Sequence, residues 1–129
     1  KLSANLGIGK FETNNVKLET SVDNAYQVIS ANAGGKSLFI RFPKVQKGTY
    51  SGASDPETRI FYSAEGRSYF SNNDRFTSNM LFTITAVDSA AGIFYADFSA
   101  LLYDIDSKNP NNRVDQLNIF GGRLNKIPF

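Results

Sequence analysis

Side chains two apart on a β-strand share a face, and the chain repeatedly spaces its large apolar residues that way. In KSLFIRF, Leu38, Ile40 and Phe42 fall on one side. YQVISAN precedes this stretch, and the AGG between them places Gly34 or Gly35 where a tight turn needs positive φ, which predicts a hairpin. Pro43 ends its second strand because proline brings no backbone donor. NMLFTITAVD and GIFYADFSALLYD flank SAA in the same manner and predict a second hairpin, with Phe82, Ile84 and Ala86 on one face. Further strands are expected in SANLGIGKF, VKLETSV, TRIFYSA, RVDQLNIF and GRLNKI. The fold class expected is all-β: an antiparallel β-sandwich or flattened β-barrel of about eight or nine strands, built as one domain over residues 1–129.

One segment carries two periods. In DFSALLYDI, Phe98, Leu101, Leu102 and Ile105 stand at helical spacing with Asp97 as a possible cap, whereas Phe94, Ala96, Phe98, Ala100 and Leu102 share a face if it is a strand. Periodicity leaves both open, and the hairpin signal before it favours strand.

Composition narrows the class. Hydrophobic residues make up 41% and charged residues 20%, with eleven Phe and six Tyr to fill a core, which excludes a disordered chain. The net charge of +2 comes from 14 bases and 12 acids interspersed along the chain, so no electrostatic footprint for nucleic acid or for an anionic membrane surface is expected. With no Cys and no His, zinc sites of the usual ligands, thiol nucleophiles, Ser-His-Asp triads and imidazole acid–base chemistry are closed. No stretch reaches the length of about twenty apolar residues that a membrane helix needs.

Several motifs invite a chemical reading. DIDSKNPNNRVD, from Asp104 to Asp115, places acids at its first, third and twelfth positions, as a calcium loop does. Lys108 occupies the fifth position, Asn109 replaces the turn glycine, Pro110 biases Asn109 toward extended backbone, and Asp115 is shorter than the usual Glu; a solvated loop explains every residue. SLFIRFP resembles an aromatic-bearing strand of RNA-recognition domains, but its companion motif is missing. GIGK lacks the spacing of a phosphate loop, and no carboxylate pair sits in a context that marks glycoside hydrolysis.

RIFYSAEGRSYF sets Tyr62, Tyr69 and Phe70 beside Arg59 and Arg67 around a turn at Glu65 and Gly66. Exposed rings there would stack on a sugar or another planar ligand, with arginine adding polar contacts; the plainer explanation is cross-strand aromatic pairing. Tyr62, Arg67, Tyr69 and Phe70 are the candidate ligand-binding surface. No catalytic residue, metal ligand or cofactor is assigned.

From residue 26 onward the order of signals resembles a family of small Bacteroidota lipoprotein domains of unknown function. The resemblance rests on VISANAGGKSLFIRFP, then Gly48-Thr49-Tyr50, then LFTITAVD ending at Asp88, then Ala96-Asp97-Phe98, and Gly122-Arg123-Leu124 near the C terminus. Ala96 and Asp97 replace a usual Gly-Thr, and Leu124 replaces Phe. The resemblance implies an exported domain, held in the envelope of a Gram-negative bacterium by lipid on a Cys that precedes these residues, and strand for residues 93 to 103. The family brings no catalytic residues. The function expected is a non-catalytic binding or structural module with a small molecule, glycan or protein as partner and no nucleic acid; the alternatives are an apolar-ligand carrier with a barrel cavity and a glycan-binding module.

Overall fold

In KSLFIRF, TRIFYSA and GIFYADFSALLYD the backbone is extended, and Leu38, Ile40 and Phe42, Ile60 and Tyr62, and Phe94, Ala96, Phe98, Ala100 and Leu102 are buried. The computed structural model describes residues 1–7, 9–71, 79–104 and 115–129. Its strands are β1 (Leu2–Leu6), β2 (Gly9–Thr13), β3 (Val16–Thr20), β4 (Gln27–Ala33), β5 (Lys36–Phe42), β6 (Gly48–Ser51), β7 (Arg59–Ala64), β8 (Arg67–Phe70), β9 (Met80–Asp88), β10 (Ile93–Asp104) and β11 (Asp115–Pro128). All pair antiparallel with their neighbours, in the order β2-β1-β11-β10-β8-β7-β5-β4-β3, with β9 and β6 branching from β10.

The branch gives the molecule two walls. Along one edge, β10 pairs with β9 from Ile93 to Ala100 and with β8 at Tyr103; its other edge carries β11. One wall is therefore β6-β9-β10-β11-β1-β2, and the other is β8-β7-β5-β4-β3, hinged to it at the far end of β10. Phe42 of β5 meets Phe82 of β9 at 4.7 Å between ring centroids and Phe94 of β10 at 6.3 Å. Phe11 of β2 meets the edge of Tyr62 of β7 at 6.1 Å. The rings thus touch across the interior, and the walls form a flattened barrel around a packed core. At its seam, Thr13 Oγ1 donates to the Asn32 carbonyl at 2.7 Å and the Asn32 amide donates to the Asn15 carbonyl at 3.1 Å, tying the β2–β3 corner to β4.

Both predicted hairpins form. Gly34 and Gly35, at φ 54° and 83°, make the two-residue β4–β5 turn with both central residues left-handed. Phe94, Ala96, Phe98, Ala100 and Leu102 are all buried, so β10 runs as strand through the ambiguous segment to Asp104.

Other expectations need correction. SANLGIGKF is not one strand: it breaks after Leu6, and Leu6 pairs with Gly9 as β1 and β2 fold back on each other. RVDQLNIF and GRLNKI are not two strands but the continuous β11 from Asp115, in which Gly121 at φ 61° marks an irregularity in the pairing with β10. Ala86 does not share the inner face with Phe82 and Ile84. The register with β10 shifts at Thr85, where Ala86 pairs with Tyr95 and Ile84 with Ala96, so Ala86 turns outward and Val87 packs on the core.

Candidate functional site

Alternation leaves an outward set for every inward one. On β5, Leu38, Ile40 and Phe42 go in, so Ser37, Phe39 and Arg41 go out. On β7, Ile60 and Tyr62 go in, so Arg59, Phe61 and Ser63 go out. Register then aligns these outward residues into rows perpendicular to the strands. In the central row, Ser30 of β4 faces Phe39, Phe39 faces Phe61, Phe61 faces Phe70 of β8, and Phe70 faces Tyr103 of β10. Four aromatic residues from four adjacent strands therefore stand side by side on the outside of the barrel, each half-buried by its neighbours.

Ring centroids lie 5.4 Å apart between Phe39 and Phe61, tilted by 39°, and 4.8 Å apart between Phe61 and Phe70, tilted by 46°. These intervals follow the spacing of paired strands, about 5 Å. The row is flanked on one side by Val28, Arg41 and Arg59, and on the other by Asn32, Ser37, Ser63 and Ser68. Val28, Arg41 and Arg59 enclose with the three Phe rings an open depression of about 420 Å³.

The two arginines of that flank share one acidic partner. Arg41 and Arg59 lie 3.3 Å and 3.8 Å from the same Glu57 carboxylate oxygen. Arg41 also rests over the Tyr26 ring at 4.5 Å, with its Nε buried and without a hydrogen-bond partner among the described residues. Tyr26 in turn donates its hydroxyl to Asp55 at 2.9 Å, a bond that raises its pKa above the usual phenol value. Asp23, held below the ordinary carboxylate range chiefly by hydrogen bonds from the Ser21 hydroxyl and the Ala25 amide, also feels Arg41. On the opposite flank, the Ser37 hydroxyl donates to the Asn32 side chain at 2.7 Å, while those of Ser63 and Ser68 form no side-chain hydrogen bond with a described residue.

The four residues singled out from the sequence divide between the two faces of the sheet. Phe70 belongs to the outer row. Tyr62 is 1% exposed and points into the core, where burial raises its hydroxyl pKa, helped by the charges of Glu65 and Tyr69. That hydroxyl finds no hydrogen-bond partner among the described residues. Tyr69 packs on the same inner side, 6.3 Å from Tyr62 and tilted by 42°, so the two do not present a flat outer platform. Arg67 stands near Tyr69, its guanidinium 5.3 Å from that ring, and its Nε and Nη2 each lie 2.9 Å from Oδ2 of the buried Asp104.

Asp104 is also the first residue of the calcium-like stretch, and it is engaged by Arg67. Asp106, Lys108, Asn109 and Pro110 lie outside the described residues, and no group of three or more potential metal ligands occurs among the described ones.

Sequence reasoning missed Phe39 and Arg41 as surface residues. Their signal was present: in SLFIRF the aromatic Phe39 occupies the outward phase of a strand whose inward phase is already apolar.

No protein-family model matches the chain, and no curated protein and no solved structure matches it either.

Proposed function

We propose that this chain is a non-catalytic glycan-binding module of the bacterial cell envelope, taking its ligand on the outer aromatic row of β5, β7, β8 and β10. The observation that carries the reading is the Phe39, Phe61 and Phe70 ladder lining an open depression beside hydroxyl and guanidinium groups. Aromatic rings offer apolar area to the C–H faces of sugars, and adjacent polar side chains fix orientation. The facing rings of Phe42, Phe82 and Phe94 fill the interior that a carrier would keep for its ligand, which supports an external site over an internal one. The absence of His and Cys from the chain supports a binding role over catalysis.

The envelope location rests on the motif resemblance to lipoprotein domains, with a lipid-bearing Cys before residue 1 as the anchor. A full-length gene product that incorporates labelled palmitate supports it; a product without that label and free in the cytoplasm refutes it.

Affinity electrophoresis through gels containing soluble polysaccharides tests the ligand class. Retardation by at least one polysaccharide, abolished by F61A and by F70A, is the expected result. Retardation by none, or retardation indifferent to both substitutions, contradicts the proposal.

A further inference from the structure

We infer that Arg67 is a positioning residue for the outer row: paired with Asp104 on the other side of the sheet, it clasps β8 to β10 and so fixes Phe70 beside Tyr103, without touching ligand itself. The inference rests on the reading of that row as the binding surface and names the pair that keeps it in shape.

Strand phase separates Arg67 from the row. Arg67 and Tyr69 are two apart on β8 and share a face, while Phe70 takes the opposite one. Tyr69 packs toward the core beside Tyr62, so Arg67 belongs to the inner phase, although its side chain is 45% exposed at the start of the strand. On β10 the same division holds: Asp104 is buried, and Tyr103 stands outside, opposite Phe70. Arg67 and Asp104 therefore meet behind the pair that ends the row.

The contact is directional. Arg67 Nε and Nη2 each lie 2.9 Å from Asp104 Oδ2, and the guanidinium stands 5.3 Å from the centre of the Tyr69 ring. Two donors on one oxygen, with an aromatic ring alongside, fix the orientation of a planar guanidinium as well as its position, which a rotating ammonium would not do.

Topology makes the clasp matter. All four residues of β8 pair with β7, but among the described residues its backbone bridge to β10 is the single pair Phe70 and Tyr103. Here the second wall joins the first. A junction with so little ladder relies on side chains to stay closed, and the Arg67–Asp104 pair crosses it. Removing either partner also disturbs the balance of charge around a buried carboxylate.

The test compares R67M, D104N and the double variant in two measurements, with melting curves confirming that each is folded. Cross-strand NOEs between Phe70 and Tyr103 report the junction, and retardation in gels containing xylan, laminarin or pectin reports binding. Both single variants should lose those NOEs while contacts between Phe42 and Phe82 in the core persist. Both should weaken retardation several-fold, and the double variant no further. Asp104 is buried and off the row, so its effect on binding must pass through Arg67. Weaker retardation in R67M with D104N unchanged overturns the inference and makes Arg67 a ligand contact. Lost NOEs with retardation unchanged in both variants overturn it and leave the glycan reading standing, as does loss of the Phe42–Phe82 contacts together with the junction, which marks a merely structural pair. Unchanged junction NOEs overturn it whether or not a polysaccharide binds. If wild type is retarded by none of the three, the glycan reading fails, and the NOEs alone decide whether the pair clasps the junction.

Discussion

Phe61 and Phe70 face each other across β7 and β8 on the outside of the barrel at 4.8 Å, while their chain neighbours Tyr62 and Tyr69 face each other on the inside at 6.3 Å. One hairpin thus sends one aromatic pair to solvent and the next to the core. The turn that sets this register is Glu65 and Gly66, at φ 53° and 75°, a two-residue loop whose twist matches the strands it joins. A slip of one residue would exchange the two pairs.

The outer ring carries less of the fold than an inner one. F61T, with a β-branched polar residue on the outer face, is expected to cost about 1 kcal/mol in urea melts, the worth of a cross-strand aromatic contact. F82A removes a side chain with no exposed surface and is expected to cost about 3 to 5 kcal/mol. Equal losses would make Phe61 a structural residue and remove the reason to treat the row as a surface.

Tyr62 is oxygenated where the core has no described partner for it. Y62F is therefore expected to stabilise the protein by about 1 kcal/mol, since an unpaired buried hydroxyl is costly and the ring contacts remain. The pH dependence follows from the raised hydroxyl pKa. Unfolding lets the phenol ionise at about its ordinary value of 10, while the folded state holds the proton to higher pH, so wild-type stability falls as pH rises above about 10. Tyr26 and Tyr50 are shifted the same way and remain in the variant, so its decline is shallower but present. A Y62F protein that melts lower at pH 7, or a gap that does not widen above pH 10, would contradict this account.

Gly122 has no room for a methyl group. A Cβ there would lie 2.6 Å from the Phe98 ring and equally close to the Phe98 carbonyl oxygen. G122A is expected to cost about 1 to 3 kcal/mol through overpacking, and F98L to recover little of it because the carbonyl stays in place. Gly7 lies in open space, so G7A serves as the control and should change the melting midpoint little. Similar midpoints for G122A and wild type would show that the contact relaxes freely.

Much of the architecture was legible because alternation is a local signal. KSLFIRF carries enough in-phase apolar residues to fix its inner face, and Gly34-Gly35 marks its own turn; in GIFYADFSALLYD a helical spacing competes, and the hairpin signal before it is what favours strand. Features that depend on a partner strand were not. The irregularity at Thr85 that turns Ala86 outward is a property of pairing with β10, invisible in TITAVD alone. Gly121 and Gly122 read as a break between strands, yet β11 continues through them because Gly122 accommodates the Phe98 ring.

The site was half legible for the same reason. Phe70 and the turn at Glu65 and Gly66 were recognisable within one stretch of chain. Phe39 joins them only through the β5–β7 register, and which of Phe61 and Tyr62 faces outward depends on where the core lies.

Aromatic-region NMR with specifically labelled Phe and Tyr distinguishes a ligand held on the outer row from one held inside the barrel. On titration with an oligosaccharide that retards the protein in gels, the ring resonances of Phe39, Phe61 and Phe70 should shift saturably with one dissociation constant while those of Tyr62, Phe42 and Phe82 stay in place. Shifts concentrated on the inner rings, with the outer three unmoved, would contradict the outer site and place the ligand inside the barrel.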